Sequence, residues 1–142
     1  MTQEHKELLL IDICARLPYK LKISIPELVT NKEQIETLNE IFKGKDNLYR
    51  VNDSGILIEY IKPYLFPLSS MTEEQLFEVQ EILGKNEIEI EDGFLRIVDS
   101  NRNTISYLEI RALLNWFYKN HFDIDDLIPM GLAINATNLN IY

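Results

Sequence analysis

A chain of 142 residues with 46% hydrophobic content can bury a core of its own, without disulfides or a structural metal. Its formal net charge of −9 removes the phosphate attraction behind direct nucleic-acid binding and behind adhesion to an anionic membrane. A single cysteine excludes an internal disulfide and fits a reducing, cytoplasmic compartment. No apolar run approaches the roughly 18 residues of a membrane span, and Met1 to Lys6 lacks the basic and apolar regions of a secretory signal.

The charge is unevenly placed. Residues 61–92 carry two basic and eight acidic side chains, whereas residues 1–60 carry eight and ten and residues 93–142 carry four and five. Any acidic surface therefore comes from the middle of the chain.

Gln3 to Ala15 reads as a helix, started near Thr2 and stopped by Pro18, with Leu8, Leu9, Leu10, Ile11, Ile13 and Cys14 on a wide buried face. A buried strand over Leu8 to Ile13 is the competing reading. On the helical reading Cys14 is a small buried hydrophobe. Tyr19 to Ile25 alternates apolar and polar residues, the pattern of a half-buried strand, and Pro26 ends it. Ile35, Leu38, Ile41 and Phe42 fit a helical stripe over residues 33–42. Residues 47–61 predict a hairpin around the turn Asn52-Asp53-Ser54-Gly55.

Residues 62–71 form a joint. Pro63 and Pro67 fix extended backbone, and Tyr64, Leu65, Phe66 and Leu68 are too apolar for a free linker, so the joint is expected to cross the core. If exposed, those four side chains would make a protein-docking ridge. A helix follows from Thr72 to Leu83, with Thr72 and Gln75 as a capping box, Met71 and Leu76 as a staple, and Gly84 as its stop. Asp92-Gly93 predicts a two-residue hairpin turn that pairs 91 with 94, 90 with 95, 89 with 96 and 88 with 97. Ser106 and Glu109 repeat the capping box for a helix to Lys119, with Ile105 and Ile110 as staple and Tyr107, Leu108, Ala112, Leu113, Trp116 and Phe117 as packing. One short turn through Leu127 and Ile128, capped by Asp123, Asp125 or Asp126, precedes Pro129. Residues 130–133 pack back and residues 135–142 read as a loose tail.

The residues that could carry chemistry form four groups. Glu87, Glu89 and Glu91 share one strand face roughly 7 Å apart, a spacing close to that of successive phosphates, and Glu74, Glu78 and Glu81 add helical acid beside them. Together they are either an acidic surface that mimics nucleic acid or a solvated sheet face with Arg96 opposite Glu89. Beside His121, Asp123 and Asp125 match the first two positions of a calcium loop, but Leu127, Ile128 and Ile134 stand where ligands or glycine are needed. No second histidine stands at transition-metal spacing. Ser69 and Ser70 lack a glycine-flanked elbow, and no phosphate-binding glycine loop occurs. The aromatic group Tyr60, Tyr64, Phe66, Trp116, Phe117, Tyr118 and Phe122 reads as core. The sequence thus offers no catalytic constellation, no cofactor and no metal.

Several strings together carry a resemblance: Cys14-Ala15-Arg16-Leu17-Pro18-Tyr19, the joint from Lys62 through Ser69-Ser70-Met71-Thr72-Glu73-Glu74, Asn115-Trp116 with His121-Phe122-Asp123, and Leu127-Ile128 with Gly131-Leu132-Ala133. In these the chain resembles an uncharacterised family of small proteins in gut bacteria, their phages and mobile elements. The resemblance implies a context, a cytoplasmic mobile-element accessory protein, and no catalytic residues. It also implies that residues 34–42 are strand, against the helical stripe. The chain departs from the family in having Phe66 where a basic residue is usual, and in lacking an acidic, glycine-containing C-terminal tail.

The expected fold is α+β over a single domain: an N-terminal helix, a small, mostly antiparallel curved sheet over about residues 19–61 that can curl toward a barrel, then two capped helices with a β-hairpin between them. The expected function is that of a non-enzymatic interaction protein of phage or mobile-element origin that binds a host or phage protein. The alternatives are an acidic inhibitor that blocks a DNA- or RNA-binding protein, and a small hydrolase with a carboxylate and His121 site.

Overall fold

The computed structural model describes residues 1–26, 32, 34–84, 87–92, 94–98 and 106–142. The fold is α+β, and its contacts divide the chain into two compact units, Met1–Leu65 with Asp125–Tyr142, and Phe66–Ile124.

The first unit opens with helix α1 (Gln3–Arg16), whose N-cap Thr2 accepts the His5 N–H at 3.1 Å. Pro18 converts its end into a 3-10 turn over Leu17–Tyr19, and Lys20 takes a left-handed φ of 57° before strand β1 (Lys22–Ile25) begins. The buried stripe of α1 is Leu9, Asp12, Ile13 and Arg16, at spacings of three and four. That stripe corrects the expected wide apolar face: Ile11 is 64% exposed, and Cys14 is exposed rather than buried. Asp12 and Arg16 replace them inside because each neutralises the other, with hydrogen bonds of 2.8 and 2.7 Å and both side chains at 0% exposure.

Residues 34–42 hold strands and not helix, in two pieces on either side of residues 38–40. β2 (Gln34–Thr37) runs antiparallel to β1, with Lys22 opposite Thr37, and β3 (Ile41–Lys43) follows. Pairing with β1 and β4 (Tyr49–Val51) satisfies backbone groups that an isolated helical turn would have satisfied locally, so tertiary pairing overrides the stripe. β3, β4 and β5 (Ile56–Leu57) form a three-stranded antiparallel sheet, and a 3-10 turn over Ile58–Tyr60 leads to β6 (Lys62–Pro67). The expected hairpin of residues 47–61 is present with a shorter second strand.

In the other sheet of this unit β1 lies between β2 and β6, and β10 (Ile134–Asn135) adds in parallel to β6, with Ile134 opposite Tyr64. The strands over residues 22–57 fall into two separate sheets and do not close into a barrel. Asn52, at a left-handed φ of 51°, ties the two sheets together. Its Nδ2 donates to Thr37 O and Glu36 Oε2, each at 3.0 Å, and its Oδ1 accepts the Asn39 N–H at 2.9 Å. The core here is aliphatic, built from Leu9, Ile13, Leu21, Ile23, Ile25, Val51, Ile61, Leu65 and Leu127 among others.

Residues 135–142 are not a loose tail. The Ala136 N–H bonds to Leu65 O at 2.8 Å, and the Tyr142 hydroxyl donates to Tyr64 O at 2.7 Å while accepting the Lys22 N–H at 3.1 Å. The hydroxyl thus stands where the next rung of the β1–β6 ladder would fall. The short turn through Leu127 and Ile128 is present: Asp126, at φ 58°, offers its carbonyl to the Met130 N–H at 3.2 Å, and further turn bonds run to Ala133. Leu132 and Ala133 pack back as expected.

The second unit begins inside β6, whose Phe66 and Pro67 pair in parallel with β9 (Phe122–Asp123). Helix α2 (Glu73–Ile82) carries the full capping box: Thr72 Oγ1 accepts the Gln75 N–H at 3.2 Å and Gln75 Oε1 accepts the Thr72 N–H at 2.9 Å. Gly84, at φ 65°, ends the helix in the left-handed form that glycine adopts without strain. β7 (Glu87–Glu91) and β8 (Phe94–Val98) pair in the expected register, and Asp92 takes the positive φ (52°) that the tight turn demands. Gly93, and the Ile105 of the second expected staple, lie outside the described residues. Helix α3 (Tyr107–Lys119) repeats the box with Ser106 and Glu109, at 3.2 and 3.0 Å. The core is Leu68, Val79, Leu83, Leu113, Phe117 and Phe122.

Candidate functional site

The proline joint does not present a docking ridge. Tyr64, Leu65 and Leu68 are 4%, 0% and 6% exposed; Leu65 belongs to the core of the first unit, and Leu68, in the 3-10 turn at Leu68–Ser70, to that of the second. Phe66 is partly buried and joins an aromatic cluster: its ring centroid lies 6.1 Å from Phe122, which stacks on Trp116 at 5.7 Å and meets Phe117 edge-on at 6.3 Å. Edge and offset contacts of this kind make the cluster a packing unit.

The acidic residues lie as the periodicities require. Glu74, Glu78 and Glu81 are exposed on α2, and Glu89 and Glu91 are exposed on β7, where the register also places Glu87. Ile90 between them packs against the second core. Two of these carboxylates are engaged. Glu78 Oε2 accepts the Trp116 Nε1 proton at 2.9 Å, and Glu91 lies 3.7 Å from Arg96 Nη1 with both side chains 67% exposed. The register sets Arg96 opposite Glu89, yet the ion pair forms on the diagonal with Glu91, within reach of a long side chain. At that exposure it is worth little. Phe77 stands 61% exposed on the same helix, one turn from Glu74 and from Glu81.

His121 and Asp123 are buried at 7% and 5%, and the His121 carbonyl accepts the Phe66 N–H at 2.9 Å, so this stretch closes the β6–β9 pairing. Among the described residues no group of three or more His, Cys, Asp or Glu is placed to hold a metal ion. Among them, too, no helix is long and apolar enough to cross a membrane. Cys14 is exposed, but what burial it has pushes its thiol above the ordinary value, away from the thiolate that reacts.

Two features escape a reading of the sequence. The first is on α3. Tyr107 and Leu108, expected as packing, are each 74% exposed, and Ile110 and Leu114 are 42% and 40% exposed, while Leu113 and Phe117 fill the core. Tyr107, Ile110 and Leu114 follow spacings of three and four, so they form one stripe beside the buried one. Arg111 lies along the same stripe. The hydrophobic count of α3 exceeds what one core face uses, and that surplus was the available signal.

The second is the turn between β3 and β4. Arg50 grips Asp46 through two hydrogen bonds of 2.7 and 2.6 Å, and the Leu48 N–H adds a third to Asp46 at 3.2 Å. The Arg50 bond, then the Leu48 N–H, hold the Asp46 carboxyl down at about 2. A Cβ on Gly44 would come 2.4 Å from Arg50 Nη1 and 2.7 Å from Asp46 Oδ1, so a side chain there would push the guanidinium or the carboxylate aside. Phe42, Lys43, Gly44, Lys45, Asp46 and Arg50 line an open cleft of about 550 Å³ there. Compared with known proteins, this chain matches no family model, no curated protein and no solved structure.

Proposed function

We propose that the protein is a non-enzymatic interaction protein, an accessory of phage or mobile-element origin acting in the bacterial cytoplasm, and that it docks a host or phage protein on α3. The observation that carries the reading is the exposed stripe of Tyr107, Ile110 and Leu114 with Leu108 at its side. Anchors at such spacings are how a helix presents itself to an amphipathic partner, and rigid aromatic and aliphatic side chains gain most when a partner covers them. Arg111 on the stripe calls for a carboxylate among the partner's apolar anchors. The family resemblance supplies the mobile-element context.

A photo-crosslinker placed at Leu114 of the full chain, against one at exposed Glu40 in the first unit, tests this in a gut-bacterial lysate. A defined partner should be captured from Leu114 and not from Glu40, and Ile110→Glu should abolish the capture with the melting temperature unchanged. Capture of the same proteins from both positions, or capture that survives Ile110→Glu, defeats the reading.

A second reading is favoured by the acids of α2. The helix holds no Lys or Arg, and the second unit carries 11 acidic and five basic side chains. An inhibitor that imitates nucleic acid would offer such a face to a basic groove. Its binding would weaken steeply with salt, as the loss of ion release requires, and Glu74→Gln with Glu81→Gln would weaken it further. Binding through the apolar stripe would hold in salt.

A further inference from the structure

We propose that the outward face of α2, centred on Phe77, docks an arginine-bearing basic segment of a partner protein. The inference rests on the second reading above, in which α2 meets a basic surface, and names the residue which that surface carries. It is independent of the stripe on α3.

Phe77 precedes Val79 by two residues, about 200° of helix rotation, so it points away from the core that Val79 enters. It is 61% exposed. On α3 the exposed apolar residues border the buried stripe, whereas Phe77 stands in the middle of a charged face. A single exposed phenylalanine is ordinary on a surface. Its surroundings are unusual. Glu73 and Glu74 lie one turn before it, Glu81 one turn after it and Glu78 at its side, all exposed, and the helix holds no Lys or Arg.

Glu73 and Glu74 suit the positive end of the helix dipole, and Glu78 accepts the Trp116 Nε1 proton. Glu81 has neither role. It sits in the last turn, where the dipole favours a base, and three residues from Glu78, where like charges repel. Among the described residues none of Glu73, Glu74 and Glu81 forms an ion pair. A carboxylate that works against its own helix is the kind of local conflict that functional surfaces carry.

An aromatic ring ringed by carboxylates selects arginine. A guanidinium is flat and weakly hydrated, stacks on an aromatic face, and takes a carboxylate through two parallel bonds. Over Phe77 it meets a ring with a carboxylate toward each end, since Glu74 and Glu81 stand about 4.5 Å and about 6 Å along the axis from it. A lysine ammonium finds the same carboxylates but holds its water and has no flat face to stack. Nucleic acid is repelled. A second copy using this same face would bring only further carboxylates. The occupant is therefore a different protein, with two arginines about 10 Å apart to reach both Glu74 and Glu81.

The test follows backbone amide shifts in the full chain while an acetylated, amidated hexa-arginine peptide is added at fixed ionic strength. Hexa-lysine and hexa-glutamate are titrated in parallel. Hexa-arginine should give saturable shifts centred on residues 74–81, and should bind about threefold or more tighter than hexa-lysine, the gain from an exposed stacking contact. Phe77→Leu keeps the apolar bulk and removes the ring, so it should bring hexa-arginine down to the hexa-lysine level. Glu74→Gln with Glu81→Gln should weaken both about fivefold, as the loss of exposed ion pairs does. These side chains are exposed, so a thermal melt checks that the variants fold. Equal affinity for the two cationic peptides, with Phe77→Leu silent, overturns the inference and leaves the acidic reading of α2 standing. No saturable shift on α2, shifts centred on the β7–β8 hairpin, or equal binding of hexa-glutamate overturns the inference and removes that reading with it.

Discussion

In the first unit a carboxylate and a guanidinium lie wholly out of water, locked to each other inside an aliphatic core. In the second unit the polar groups that define the structure sit at helix ends, where Thr72 with Gln75 and Ser106 with Glu109 remain within reach of solvent. The contrast separates two ways of meeting the demands of polar atoms. A buried pair is costly to break because each charge needs the other. A capping box is cheap to break because water stands in for the lost partner.

The sharpest way to break this contrast is Asp12→Ala. It strands the Arg16 charge in the core, and the loss should be about 3–5 kcal/mol in chemical denaturation, the range for uncompensated buried charge. Replacing both, Asp12→Leu with Arg16→Met, should recover most of that loss. If the single variant cost under 1 kcal/mol, water must reach the pair and the contrast between the units would collapse. In the second unit the matching blow is apolar. Leu113→Ala should cost about 3 kcal/mol through transfer and cavity terms, whereas Leu114→Ala, one residue on but 40% exposed, should cost well under 1 kcal/mol.

These effects also explain why one unit was more legible than the other. The capping boxes, the Asp92 turn and the left-handed Gly84 are local signals, complete within four residues, and the structure carries each where the sequence put it. The first unit depends on distant partners. Nothing around Asp12 announces that it enters the core. Its clue was only Arg16 four residues on, a spacing equally common on exposed helices. The strand at Gln34–Thr37 shows the same limit, because its pairing is with Lys22–Ile25 and the apolar spacing alone favours a helix. Tyr142 reaches strands 120 and 78 residues away. On α3 the local pattern gave the helix but not which of its two apolar stripes faces inward.

Tyr142 offers a smaller and pH-coded test. Although the residue is 46% exposed as a whole, its hydroxyl is inserted between two strands, and burial pushes the phenol up to about 12 against the pull of the Lys22 N–H and Arg16. The ordinary value is near 10. The folded state therefore holds the proton more tightly, and the stability from this group is complete below about pH 10 and lost as pH rises toward 12. Tyr142→Phe should cost about 1 kcal/mol at neutral pH and should flatten the alkaline decline. An unchanged slope between those pH values would mean that the hydroxyl is in water. Thr72→Ala and Ser106→Ala belong at the same level, about 1 kcal/mol each.

The smallest effect concerns Asp46, a carboxylate of the first unit that is strongly bound but not buried. Asp46 is held at about 2 by Arg50 and by the Leu48 N–H, on a surface where water competes for every bond. Its folded value lies below the ordinary carboxylate range, so whatever the fork contributes is present above about pH 4 and disappears as pH falls toward 2. Carbon-detected NMR titration of the Asp46 carboxyl should place its midpoint near 2, and Arg50→Ala should return it toward 3.8 while the global unfolding midpoint stays put. If Asp46 titrates normally in the intact chain, the guanidinium is not laid over Gly44.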